Sequence, residues 1–227
     1  MEKKISYYNN FSKSKFSKLT IQERFEKIYN ENSWESNESR SGIGSEIKNT
    51  KEVLRAINQI IKQYNIKSII DIPCGDFNWM SSLDMKNINY KGFDIVNSAI
   101  EENNKNFKKT NINFYCSDIT SSELTKGDLM FVRDCLVHFS YEDIKKSIFR
   151  IKQSKSTYLL STSFVNLEKN TDIYTGDWRP INLEKEPFNF PKPIITINEE
   201  CDEMDGIYSD KCICLWEIEE LPDLNLV

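Results

Sequence analysis

The chain has 227 residues, enough for one domain with a sizeable core, and its 39% hydrophobic and 29% charged residues are those of a folded globular protein rather than a disordered one. Its net charge of −5 is unevenly shared: residues 1–164 carry 25 Lys+Arg against 20 Asp+Glu, which leaves 5 against 15 for residues 165–227. An acidic C-terminal part argues against a nucleic-acid binder, which needs a basic stripe to displace counterions from phosphates.

No apolar run approaches the ~18 residues of a membrane span, and the lysine-containing N-terminus lacks the apolar stretch of a signal peptide. A cytoplasmic protein without membrane insertion is expected, its six cysteines (Cys74, Cys116, Cys135, Cys201, Cys212, Cys214) reduced. With one histidine and no second cysteine pair beside Cys212-x-Cys214, no metal site is expected.

Residues 1–45 read as a polar N-terminal extension, a lid or packing arm, with one helix in TIQERFEKIYNE whose Ile21, Phe25 and Ile28 share a face. Residues 46–227 read as a single domain. It opens with a helix in EIKNTKEVLRAINQIIKQYN, with Val53, Leu54, Ile57, Ile60 and Ile61 at helical spacing and Thr50 as candidate cap. There follow a strand in IKSIIDI, a short helix, a strand in YKGFDI, a helix through NSAIEENNKNF and strands in NINFYCSD and DLMFVRD. A helix in YEDIKKSIFRIKQ and a strand in TYLLSTSF close the alternating part. Strands alternating with helices predict an α/β fold, a mainly parallel sheet with helices on both faces. PIITI and KCICLWEI, with no helix between them, predict an antiparallel pair on one edge. Alternation in the second places Cys212 and Cys214 on one face.

In an open parallel sheet, ligands bind beyond the carboxyl ends of the strands. There the chain places Asp71, Cys74, Gly75 and Asp76 after the first strand, Asp94 after the second, Asp118 after the third, and Arg133, Asp134 and His138 after the fourth. Asp71 and Asp94 are 23 residues apart, and Asp94 and Asp118 are 24 apart. A carboxylate about 20 residues past the first turn suits the vicinal hydroxyls of a ribose, and one a strand further on suits an adenine amino group.

The motifs DIPCGDF, YKGFDI, YCSDIT and DLMFVRDCLVHF resemble those of the class I S-adenosylmethionine-dependent methyltransferases over residues 68 to about 165. More narrowly, SRSGIGS and TGDWRPINL resemble small bacterial methyltransferases of capsule and surface-polysaccharide biosynthesis. The superfamily turn Asp-x-Gly-x-Gly-x-Gly keeps only Gly75 here, with Pro73 and Phe77 at the other glycine positions. No Gly-x-Gly-x-x-Gly occurs in the chain, which disfavours a dinucleotide-binding dehydrogenase.

The resemblance implies a Rossmann-like seven-stranded sheet with an antiparallel C-terminal hairpin, and S-adenosyl-L-methionine as cofactor, leaving as S-adenosyl-L-homocysteine. Asp71, Cys74, Gly75 and Asp76 would then surround the methionyl group, with Gly75 giving the cofactor access. Asp94 with Ile95 would hold the ribose, Asp118 with Ile119 the adenine, and the Arg133 backbone would lie beside the sulfonium. Arg40 is either a partner for the cofactor carboxylate or a surface arginine. His138, with a pKa of roughly 6.5 when unperturbed, is a candidate general base with Asp134 as its partner; the alternative is that it packs the helix opened by Ser140. Tyr174, Asp177, Trp178 and Arg179 are candidates for binding a saccharide or other small-molecule acceptor, Arg179 for an attached phosphate; Trp178 could equally anchor the loop. The implied reaction is O-methylation of a sugar or sugar-linked group, such as a nucleotide sugar, heptose or phosphoramidate. The rivals are N-methylation of a small molecule, a non-catalytic cofactor-binding protein and a nucleic-acid methyltransferase, though RDCLVHF lacks the Asn-Pro-Pro-Tyr type of motif expected of the last.

Overall fold

The computed structural model describes residues 15–224, so the first 14 residues of the predicted extension and the last three of the chain lie outside it. Among the described residues no helix is long and apolar enough to cross a membrane.

Helix α1 (Ile21–Asn30) opens on a reciprocal cap in which the Thr20 side chain accepts from the Glu23 N–H and the Glu23 carboxylate accepts from the Thr20 N–H. It buries Arg24, Phe25, Ile28 and Tyr29. Helix α2 (Lys51–Gln63) starts directly after Thr50, the candidate cap position, and is preceded by two 3-10 turns, Ile43–Ser45 and Ile47–Asn49. Thr50 precedes it without capping it: its hydroxyl donates back to the Glu46 and Ile47 carbonyls.

The strands are β1 (Ser68–Asp71), β2 (Asn89–Asp94), β3 (Ile112–Cys116), β4 (Leu129–Val132), β5 (Tyr158–Phe164), β6 (Ile195–Asn198) and β7 (Lys211–Glu217). They form one seven-stranded sheet in the order β3-β2-β1-β4-β5-β7-β6. The first five pair in parallel, and β7 pairs antiparallel with both β5 and β6, which is the predicted edge hairpin. Helix α3 (Asn97–Asn106) follows β2 and helix α4 (Tyr141–Gln153) follows β4. The short helix expected after β1 is a single 3-10 turn, Met80–Ser82.

Two apolar clusters cover the two faces of the sheet. Ile70, Met130, Val132 and Leu159 join α4 through Ile144, Ile148 and Ile151 on one face. Ile69, Leu129, Phe131 and Leu160 join α2 through Val53, Ile57 and Ile60 on the other. Adjacent strand residues thus divide between the faces, as the pleat requires. Cys212 and Cys214 fall on the first face and Ile213 and Leu215 on the second, as alternation predicted. Strand order reverses between β1 and β4, so the crevice for a ligand lies above their carboxyl ends.

Candidate functional site

A cavity enclosing about 1020 Å³ of atom-free space, its open mouth included, occupies that crevice. Of the predicted residues, Asp71, Cys74, Gly75, Asp76, Asp94, Ile95, Asp118, Ile119, Arg133, Asp134 and His138 line it. Arg40, Tyr174, Trp178 and Arg179 do not.

Each strand end presents its acid differently. Asp94 is buried, and its carboxylate accepts from the Gly75 N–H at 2.9 Å and the Val96 N–H at 2.9 Å. Burial pushes its carboxyl up to about 6 against these stabilising bonds. Asp118 accepts on Oδ1 from the Thr120 N–H and hydroxyl. Asp71 is buried, accepts from the Tyr90 hydroxyl on Oδ2, and keeps Oδ1 without a partner. Burial pushes its carboxyl up to about 8.

The turn after β1 faces the chain itself. Gly75 has φ +54°, and a β-carbon on it would lie 2.1 Å from Ser41 Oγ. The close approach that Gly75 permits on this side is that of the N-terminal segment, while Gly75 also lines the cavity. Asp76 likewise holds that segment, accepting from Ser39 Oγ at 2.9 Å, the Arg40 N–H at 2.8 Å and Ser41 Oγ at 3.4 Å. Arg40 meets the turn through its backbone, and its side chain is exposed outside the cavity wall.

Across the cavity, His138 sits in the 3-10 turn Leu136–His138. Its Nδ1 lies 2.9 Å from the Asp177 carbonyl. A carbonyl only accepts, so Nδ1 carries the proton and the neutral ring keeps its lone pair on Nε2. The rings of Phe25 and Trp34 pack on it at 6.4 and 5.5 Å between centroids. Burial lowers its pKa to about 4, only partly offset by the Asp177 hydrogen bond and the Asp134 charge. Ser140 caps α4 with its own hydroxyl, so that helix does not depend on His138 for its cap.

Asp134 is committed to cations rather than to His138. Its Oδ2 lies 2.7 Å from Lys211 Nζ and 3.3 Å from Arg133 Nη1. Burial opposes its charge, but Lys211 and then Arg133 outweigh this and hold its carboxyl below the ordinary carboxylate range. The Arg133 guanidinium turns to Glu199, at 3.1 and 2.7 Å, and to the Gly44 carbonyl at 3.0 Å.

The loop candidates are structural in this arrangement. Arg179 donates to the carbonyls of Thr171, Leu136 and Phe139 at 3.1, 2.8 and 2.8 Å. The guanidinium is buried, turned to these main-chain carbonyls and absent from the cavity lining, and burial lowers its pKa to about 10. Tyr174 accepts from Arg24 through its hydroxyl at 2.9 Å and takes the guanidinium over its ring at 4.3 Å. Trp178 packs on Phe164 and Tyr208, the anchoring role. Asp177 serves the site through its main-chain carbonyl on His138.

Several lining residues were missed in the sequence: Phe25 and Tyr29 from α1, Trp34, Ser41 and Ser45 from the segment after it, and Trp79 after β1. The predicted apolar face of α1 contained Phe25, but the cavity lies over 60 residues away in sequence at Asp94. Periodicity identifies a buried face and not what covers it.

No protein-family model matches the sequence, and no curated protein matches it. Solved structures do. A Burkholderia thailandensis 1,6-didemethyltoxoflavin-N1-methyltransferase, with bound 1,6-didemethyltoxoflavin and S-adenosylhomocysteine, superposes with a TM-score of 0.63 at 10% identity, over 87% of this chain and 86% of that one. The N-methyltransferase NodS of Bradyrhizobium japonicum, in complex with S-adenosylhomocysteine, gives 0.58 at 11% identity, over 84% of this chain and 97% of that one. Human N-acetylserotonin methyltransferase in complex with SAM gives 0.58 at 13% identity, over 91% of this chain and 61% of that one, so the chain spans less than two thirds of the human enzyme. The fold is the Rossmann-like one that these methyltransferases share.

Proposed function

We propose that the chain is a methyltransferase that uses S-adenosyl-L-methionine to methylate a small molecule. The observation that carries this reading is the cavity at the strand-order reversal, walled by Asp71, Asp94 and Asp118 from three successive strand ends and closed on the far side by His138. Asp71, whose buried Oδ1 lacks a partner, fits an ammonium group. Asp94 keeps lone pairs beyond the two that accept from backbone N–H groups, as a ribose diol requires. Ile95, Val96 and Ile119 supply apolar surface for a purine. Bound there, the cofactor supplies an electrophilic methyl group.

The chain's own part is alignment and proton handling. Phe25, Tyr29 and Trp34 line the cavity with apolar surface against which an acceptor is held in line. His138 Nε2 accepts the proton of a hydroxyl acceptor while Nδ1 stays fixed on the Asp177 carbonyl. The finer assignment we favour is a saccharide or sugar-linked acceptor destined for surface polysaccharide. It is supported by the Trp34 and Trp79 rings and the Asp134 carboxylate in the lining of the same cavity, and by the motif resemblance. Methylation of an amine is the second reading, favoured by the low basicity of His138, since a neutral amine needs no base to attack.

Calorimetric titration with S-adenosylmethionine and S-adenosylhomocysteine tests the first step. Both ligands bind the wild type, and Asp94→Ala loses affinity at least tenfold. Failure of both to bind refutes the reading. A mass-spectrometric screen of hydroxyl and amine acceptors for a gain of one methyl group then decides the acceptor class, with His138→Ala losing turnover on hydroxyls and retaining it on amines. A protein that binds the cofactor and methylates nothing in that screen is the non-catalytic alternative.

A further inference from the structure

Asp71 ends β1, lines the cavity and is paired with Tyr90 of the neighbouring β2. Tyr90 is fully buried, its ring fixed by Phe77 and Phe114 at 5.1 and 5.9 Å between centroids, and its hydroxyl donates to Asp71 Oδ2. The opposite oxygen, Oδ1, is buried without a partner. The titratable and charged groups facing Asp71 are Tyr90 on β2, Asp94 at the β2 end, Cys74 in the turn and Arg133 beyond β4. Asp94 repels a second negative charge. Arg133 is the one cation among these groups, and its guanidinium is bound to Glu199 and the Gly44 carbonyl. An ionised Asp71 would thus have a single hydrogen bond, a like charge nearby and no direct counter-ion, and its carboxyl is held up at about 8 by burial while the Tyr90 bond pulls it down.

We propose that Asp71 is a neutral carboxylic acid in the empty protein, and that it gives up its proton to solvent when the ammonium group of a ligand arrives. Tyr90 is the positioning residue: by binding Oδ2 alone it distinguishes the two oxygens and leaves Oδ1 for the ammonium. The inference rests on the S-adenosylmethionine reading, the ammonium being that of the methionyl part. The acid form costs less to bury than the anion, and the charge forms only together with its partner, so neither state carries an unpaired buried ion.

The test is titration of wild-type protein with S-adenosylhomocysteine in two buffers of different ionisation enthalpy. At pH 7 a group titrating at about 8 is about 0.9 protonated, and the amino group of the ligand takes up about 0.1 proton, so about 0.8 proton is released per ligand bound. Affinity rises roughly tenfold from pH 6 to pH 7. 5′-Methylthioadenosine, which lacks the ammonium, releases no proton and shows no such rise. Asp71→Asn, which keeps an acceptor for the Tyr90 hydroxyl, abolishes both effects. Tyr90→Phe retains the proton release, moves the midpoint of the pH dependence upward and weakens S-adenosylhomocysteine, leaving 5′-methylthioadenosine untouched.

Binding of S-adenosylhomocysteine without proton release and with flat pH dependence overturns the proposal and leaves the cofactor reading standing. Unchanged affinity and midpoint in Tyr90→Phe overturn the positioning role. No binding of either S-adenosyl ligand overturns both readings. Should Tyr90→Phe fold poorly, the wild-type proton count and Asp71→Asn still decide the matter.

Discussion

His138 is the only histidine in the chain, so its titration can be followed without assignment. The structure sets its pKa at about 4 against the ordinary 6.5, chiefly through burial, with the Arg179 and Lys211 charges adding to the effect. At ~1.36 kcal/mol per unit, the imidazolium is disfavoured by roughly 3 kcal/mol in the folded state. Between pH 4 and 6.5 the unfolded chain therefore binds more protons than the folded one, and this group's contribution to stability is full above pH 6.5 and is lost as pH falls through 4. Between pH 7.5 and pH 4.5 the loss is about 2.5 kcal/mol. Asp71 has the opposite sign, so the comparison is the difference in urea unfolding free energy between wild type and His138→Gln at the two pH values. In parallel, nitrogen-15 NMR on histidine-labelled protein reports the tautomer: proton on Nδ1, lone pair on Nε2, no titration above pH 5. Trp34→Ala, which removes one ring packed on His138, moves the midpoint toward 6.5. A proton on Nε2 would refute the base assignment, and a midpoint at 6.5 in the wild type would refute the burial argument.

Asp71→Asn makes the ligand-free protein more stable at pH 9 and much less so at pH 6, because a buried acid whose folded pKa is raised from 3.8 to about 8 costs stability as pH climbs through that range. The ceiling is roughly 6 kcal/mol, of which about 3 kcal/mol falls between pH 6 and pH 9, and thermal unfolding at the two pH values measures that part. Gly75→Ala places a β-carbon on Ser41 Oγ at a positive φ, so limited proteolysis within residues 34–45 accelerates. Adding Ser41→Gly slows it again while the backbone strain of about 1 kcal/mol remains. Arg179→Met leaves three main-chain carbonyls without their donor and lowers stability by about 2–4 kcal/mol in urea unfolding, with a shift of the His138 nitrogen resonances.

The parallel strands and α4 were legible because their signals are local. Tyr141–Gln153 begins directly after its cap Ser140 and ends where its apolar spacing ends. The acids at the strand ends were legible because strand period and crossover length fix which residues reach the crevice above the sheet. What the sequence concealed is carried by contacts between distant segments. Asp76 and Ser39 are 37 positions apart, and nothing local distinguishes a carboxylate that meets a ligand from one that clasps an arm. Arg179 and Leu136 are 43 apart, so a guanidinium that suits a phosphate by chemistry was spent on carbonyls by topology. Glu199 and Lys211 entered no sequence argument. Yet they decide the charge of the wall, because the β6–β7 hairpin brings them onto Arg133 and Asp134.

These ion pairs bear on the acceptor. Arg133 is bound to Glu199, Lys211 lies on Asp134 and Glu199, and Arg179 is held by carbonyls, so the cations around His138 already have partners inside the protein. A phosphate brought to this wall would have to break one of these arrangements and leave Asp134 or Glu199 buried without its counter-ion, which costs about 3–5 kcal/mol. A neutral hydroxyl group faces no such cost, since it both donates to Asp134 and accepts from its surroundings. On the proposed function, the wall would favour acceptors that are uncharged near the methylated atom. Paired assays of one acceptor with and without a phosphate next to its reacting hydroxyl should show at least a hundredfold preference in kcat/KM for the uncharged form. Equal turnover of the two would mean that the Arg133–Glu199–Lys211–Asp134 cluster opens to substrate.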